Sequence, residues 1–510
     1  MRLSNQRNKS RTYNLIANSS VGVIASILQV LINYIVRIVI VRELGSEING
    51  LNSLFESIIN IMMLMEAGFG TAMVIHLYKP IEGENKDDIK GIMSFYRKIY
   101  YSIGTGLLIV GLFISYFVLG SLVTSTIPIV KIRFYFILFI MSFVLYYYTY
   151  HKRSILFAEQ KNRISIMITL TCQIVFRTLE VFAVINYHNY SIFLILMLLE
   201  KLSENLICNY YINKKHPYLK YNNTKIKKEI KKSIISTVRP LLIFNITSTI
   251  QRSYRSILIS FLLGNISIVG YLGNYQLVIS AAQLLFSQFG GAFTSTFGNL
   301  SVTEDENRMY NVYKKFCFLA NWIAILLCTG FIVCIQDFIL FTFGKGNLLS
   351  TGCVLLLALD MFIYLINIPI ISIQNALGLH NEDKNYMILQ ALLAIPLGFI
   401  LGKTYGMIGI ILGLLIPQVI FSLLHKGVVI FKIVFKKSGS CYLRFILSET
   451  IKFVLVAIIS YYVTSFIITG IVFYDFLLKG ISTLIICALL VIIFSFKNKY
   501  FREYMYLIRK

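Results

Sequence analysis

VRPLLIFNITSTIQRSYRSILISFLLGNISIVGYLGNY, residues 238–275, decides how the rest of the chain reads. As a helix, the apolar run 240–263 would extend about 36 Å, enough to cross a bilayer. Its middle nevertheless carries Gln251, Arg252 and Arg255. An arginine at the centre of a membrane helix costs about 2.5–3.5 kcal/mol on insertion scales, so two are tolerated only against protein or water. Asn245, Ser248, Arg252, Arg255 and Ser256 recur at helical spacing as one polar stripe, with Ile246, Ile250, Ile257 and Phe261 across from it. The spacing predicts a helix lining a wet, positively charged cavity inside a membrane protein.

Composition agrees. Of 510 residues, 57% are hydrophobic and 14% charged, and the mean hydropathy is +0.73. These values describe a polytopic membrane protein rather than a soluble domain. Hydropathy divides the chain into about fourteen spans. The net charge of +25 invites a nucleic-acid reading, but its distribution argues against one. With both termini placed in the cytoplasm, about 36 of the 48 Lys and Arg residues fall on that side, the asymmetry that orients membrane proteins. The N-terminal Arg2, Arg7, Lys9 and Arg11 precede an apolar stretch too long for a signal peptide, which reads as an uncleaved first helix. Eight cysteines are scattered singly, without a CxxC or a histidine cluster, so they read as small core residues, and no metal or cofactor is expected.

Taken in order, the first span repeats the logic of 238–275: Gly22, Ser26, Gln29, Asn33 and Arg37 share a face. The second has Ser53, Glu56 and Asn60 on one side and then Glu66 before Gly68 and Gly70. The fifth carries Gln173, Arg177 and Glu180, where Arg177 either serves a cavity or pairs with Glu180. The sixth carries Glu200, Lys201 and Glu204, at a spacing that favours pairing within the helix. Residues 213–239 form the most basic loop. Beyond it Gln276, Ser280, Gln283 and Ser287 make another stripe.

The chain also repeats internally. Leu44-Gly45 aligns with Leu263-Gly264, Tyr96-Arg97-Lys98 with Tyr313-Lys314-Lys315, and Ala158 with Ala376, at an offset of about 218 residues. That period holds an even number of spans, so the halves are parallel repeats about an axis along the membrane normal. The expected plan is an N-terminal six-helix lobe (1–212), a basic cytoplasmic loop (213–239), a C-terminal six-helix lobe (240–431), and two further helices with a basic tail (432–510). Two related cationic helices facing a cleft suit an alternating-access transporter.

The segments RELG…GLNSLF, LMEAGFGTAMVIHLYKPI, SILFAEQKN, ILISFLLGNISIVGYLGNYQLV and FGNL…ED resemble the Wzx-type polysaccharide flippases of the MATE-like MOP exporter superfamily. The resemblance spans roughly residues 10–430; Arg255 stands where that family commonly has an acid. It implies two six-helix lobes plus two C-terminal helices, in a bacterial cell membrane. The implied activity moves an undecaprenyl-diphosphate-linked oligosaccharide from the inner to the outer leaflet. The implied partners are that lipid, membrane lipids, and the polymerase and glycosyltransferases of the same synthesis; a monomer is expected.

Residue chemistry supplies matching groups. A diphosphate needs guanidinium forks, for which Arg37, Arg252, Arg255 and Arg177 are the candidates. Sugars need amides in place of water, and Gln29, Asn33, Asn245, Gln276 and Gln283 are suitably placed. Glu56 and Glu66 are the candidates for ion coupling. They keep a multidrug/cation antiporter open as an alternative, and a lipid II flippase would differ only in cargo. A membrane glycosyltransferase, polymerase or ligase is disfavoured: the outer loops are short and no catalytic constellation is present.

Overall fold

The computed structural model describes the backbone of residues 2–66, 68–219 and 224–509. Side chains are described from Asn18 onward, except those of Ser19, Met65, Thr149, residues 239–248, 250–252 and 507–509, Ala292 and Val302. It is an all-α polytopic membrane protein, with no strand among the described residues. Nine of its described segments are long and apolar enough to cross a membrane. Segments 20–62 and 384–434 each run through two helices, and Tyr190–Lys215, Lys228–Leu263 and Gly439–Thr464 are three further long helices.

The chain folds into two compact units, Met1–Gly270 and Tyr271–Lys510. The first contains α1 (Arg2–Val39), α2 (Gly45–Met62), α3 (Phe69–Glu82), α4 (Lys86–Phe113), α5 (Ile129–Tyr150), α6 (Asn162–Tyr187), α7 (Tyr190–Lys215) and α8 (Lys228–Leu263). Helix α7 packs on α5 and α6, and α6 on α1. Helix α8 lies on α2 and α3. The unit therefore closes later in the chain than the basic loop 213–239, within α9 (Ile266–Thr303), because the start of α9 is locked against α2. A Cβ on Gly50 would lie 2.1 Å from the Ile266 carbonyl oxygen, and one on Gly270 would lie 2.6 Å from that of Ser46. Only glycine permits so close an approach of two helix backbones. Packing units and the sequence repeat are thus different divisions of this chain.

The second unit holds the rest of α9, then α10 (Glu306–Phe343), α11 (Thr351–Leu377), α12 (Lys384–Pro417), α13 (Lys426–Val434), α14 (Gly439–Thr464), α15 (Val472–Ser495) and the amphipathic α16 (Lys499–Arg509). Helix α12 breaks at Gly406 (φ 59°, ψ −136°), a conformation open to glycine, which divides it into two arms. The last two apolar helices, α14 and α15, pack on α10, where Lys479 of α15 meets Asp337 at 2.7 Å. Asp383 and Lys426, both buried, pair at 2.9 Å.

Repeat-related positions share some local features, although Gly45 (ψ 167°) and Gly264 (ψ 24°) differ in backbone conformation. Gly45 and Gly264 both take positive φ, at 87° and 59°. The two Tyr anchors, Tyr96 and Tyr313, are buried on helices whose first turns are capped alike. Asn85 accepts from the Asp88 amide, and Asp305 from that of Arg308.

Candidate functional site

The chemistry of the first unit is concentrated where α6 and α7 face each other. Glu180 and Glu200 are fully buried. Isolated carboxylates cannot remain charged there, so a cation must accompany them. Arg177 does so: its Nη1 donates to Glu180 Oε2 at 2.8 Å, and its Nε lies 3.2 Å from Glu200 Oε2. Lys201 sits between Glu200 (3.0 Å) and Glu204 (3.3 Å). Glu204 in turn accepts from Arg153 Nη1 at 2.6 Å and from the Thr169 hydroxyl. Three cations and three carboxylates alternate along this ladder, so it is neutral as a whole.

One end of the ladder opens on a cavity of about 460 Å³ inside the first unit. Arg153, Lys201 and Glu204 line it, facing Gly22, Ser26 and Gln29 of α1. The polar stripe of the first span thus reaches a real cavity. Its next member, Asn33, is exposed, while Arg37 is half-buried. Arg37 Nε donates to Asn49 Oδ1 at 2.9 Å, and its Nη2 to the Ser53 hydroxyl. Asn49 also donates to the Gly270 carbonyl at 3.0 Å, tying this guanidinium to the glycine contact between α2 and α9.

The remaining candidates are dispersed. Glu56 is exposed on α2 and accepts from Asn52 at 2.8 Å. Glu66 accepts a 2.6 Å hydrogen bond from the Tyr100 hydroxyl. Arg255 is buried on α8, and Phe261 of the same helix is exposed. The side chains of Arg252 and Asn245, on the same helix, lie outside the described residues. Gln276 and Gln283 are half-buried on α9, in the second unit.

Arg153 is not among the candidates that the sequence offers, where His151, Lys152 and Arg153 open a cytoplasmic amphipathic segment. Arg153 is 3% exposed, with Tyr146 and Tyr150 rings 6.0 and 5.3 Å from its guanidinium carbon. Glu204 lies 51 residues away in sequence, so no local period connects the pair. Nearby, Glu159 anchors the loop before α6: Lys161, Lys215 and His216 lie 3.0, 3.3 and 3.1 Å away. Burial alone would raise its pKa, but the hydrogen bonds of His216 and Lys161 overcome this and bring it from 4.5 down to about 2.

No family profile matches the chain, and no curated protein does. Among solved structures it resembles the lipid II flippase MurJ in an inward closed conformation, with a TM-score of 0.70 and 16% identity over 94% of this chain and 99% of that one. It also resembles an inward-facing multidrug resistance MATE family transporter of the MOP superfamily (TM-score 0.63, 14% identity, 78% and 92% coverage). An outward-facing transporter of that kind matches at 0.56, with 13% identity and 81% and 93% coverage. The chain therefore has the fold that MurJ and the MATE transporters of the MOP superfamily share.

Proposed function

We propose that this protein is a flippase, not an enzyme, that carries an undecaprenyl-diphosphate-linked oligosaccharide from the inner to the outer leaflet of a bacterial cell membrane. Both termini then lie in the cytoplasm, and the lobes 1–212 and 240–431 alternate access by moving against each other. The observation that carries the reading is Arg37. It lies in a segment long and apolar enough to span the membrane, yet its guanidinium is held by Asn49 and Ser53 and stays half-buried. A fixed guanidinium fork in low dielectric suits a diphosphate. Arg255 and Arg252 on α8 complete the phosphate-binding set. Arg177 contributes its charge to Glu180 and Glu200 instead.

A lipid II flippase is the second reading, favoured by the match to MurJ along nearly the full length of both chains. The two differ in what the diphosphate carries, not in the diphosphate. In the host, cells whose only copy is Arg37→Ala/Arg255→Ala should insert the protein normally and lose surface polysaccharide. Normal polymer with the double variant at native abundance would overturn the proposal. Loss of cell-wall synthesis with polysaccharide intact would select the second reading.

A further inference from the structure

The cavity of the first unit is chemically unlike a phosphate site. Its two cations are already matched, Arg153 by Glu204 at 2.6 Å and Lys201 by Glu200 and Glu204. A diphosphate placed there would bring its negative charge against the Glu204 carboxylate, with no unspent cation in compensation.

The rest of the lining suits a neutral, amphipathic guest. Phe143, Tyr146, Tyr150 and Phe157 present aromatic surface, with the Tyr146 and Tyr150 rings stacked 4.3 Å apart. Gln29 and Asn162, both with side-chain amides, also line the cavity. The Asn162 Oδ1 atom is buried and has no hydrogen-bond partner in the chain. That acceptor is closed to water as the chain stands, so a guest donor reaches and relieves it through a rotation of the Asn162 side chain. A pyranose ring offers both kinds of surface: C–H faces that pack on aromatic rings, and hydroxyls that donate to amide oxygens. A volume of about 460 Å³ suffices for a small-molecule guest of that size.

We propose that this cavity is a carbohydrate subsite that takes a neutral sugar ring of the lipid-linked cargo, apart from the arginines assigned to the diphosphate. The proposal rests on the reading of the chain as a carrier of a glycan-bearing lipid diphosphate, and holds for either cargo named above.

The test is a binding titration of the purified full-length protein, read by native mass spectrometry. The two probes are undecaprenyl diphosphate and undecaprenyl diphosphate bearing one N-acetylglucosamine. The native protein should bind the sugar-bearing lipid more tightly, by about tenfold. That preference should collapse toward one in Gln29→Leu and in Asn162→Ala, with melting temperatures used to confirm that each variant is folded. Equal affinity of the native protein for both lipids would overturn the subsite, as would a preference retained in the folded variants. A parallel loss of both affinities in the variants would assign the cavity to the diphosphate and also overturn it. If the native protein binds neither lipid, the flippase reading falls as well.

Discussion

One carboxyl group, that of Glu204, serves Arg153, Lys201 and the Thr169 hydroxyl at once. Arg153 has no other carboxylate partner among the described ion pairs, and it is buried. Removing one member of a buried pair costs about 3–5 kcal/mol, because the survivor keeps its desolvation penalty without its counter-charge. Glu204→Ala should therefore melt far below the native protein in detergent, with Glu204→Asp between the two. A native-like melt for Glu204→Ala would mean that the ladder contributes no stability. The short-range rungs were legible in sequence, since Arg177 and Glu180, like Lys201 and Glu204, are one helical turn apart. The Arg153–Glu204 and Arg177–Glu200 rungs were not, because they join segments far apart in sequence.

Among the elements, α2 is the hinge of the first unit's chemistry. One face holds Arg37 through Asn49 and Ser53, and another admits the start of α9 at backbone contact. The atoms met by a Cβ on Gly50 or Gly270 include carbonyl oxygens, which cannot rotate away as a side-chain tip can. Overpacking of this kind costs about 1–3 kcal/mol or more. Gly50→Ala and Gly270→Ala should each lower thermal stability and, through Asn49, weaken the proposed transport. Gly330→Ala, where an added Cβ meets nothing within 4 Å, should stay within about 0.5 kcal/mol of native. Equal melting of all three would show that α2 and α9 do not pack this closely.

At the scale of the molecule, apolar exposure marks a lipid-facing surface, and the distribution of charge along the sequence predicts an orientation. Ile24, Phe182, Ile458 and Ile493 are all more than half exposed, a surface for lipid rather than water. The basic segments lie between helix ends on the side assigned to the cytoplasm. A cysteine at exposed Thr124 should react with a membrane-impermeant maleimide in intact cells, whereas one at exposed Lys225 should react only after permeabilisation. Native background is small, since seven of the eight cysteines are buried and only Cys441 is half-exposed. The opposite labelling pattern would invert the orientation.

Sequence by itself determined the class of the protein, its helices and the polar faces of several, because hydropathy and helical spacing are local properties of a chain. Gln29 reached a cavity and Arg255 turned inward for that reason. Only the tertiary structure decided which charges neutralise one another. Arg177 is clasped by two carboxylates, and Arg153 is buried against Glu204 of another helix. Tertiary packing also set the end of the first unit, through the contact of Gly50 and Gly270 across the α2–α9 interface. The physical reason is common to these cases. Desolvation and backbone contact act between residues far apart in sequence, as with Asn49 and Gly270, 221 residues apart, and no local period encodes them.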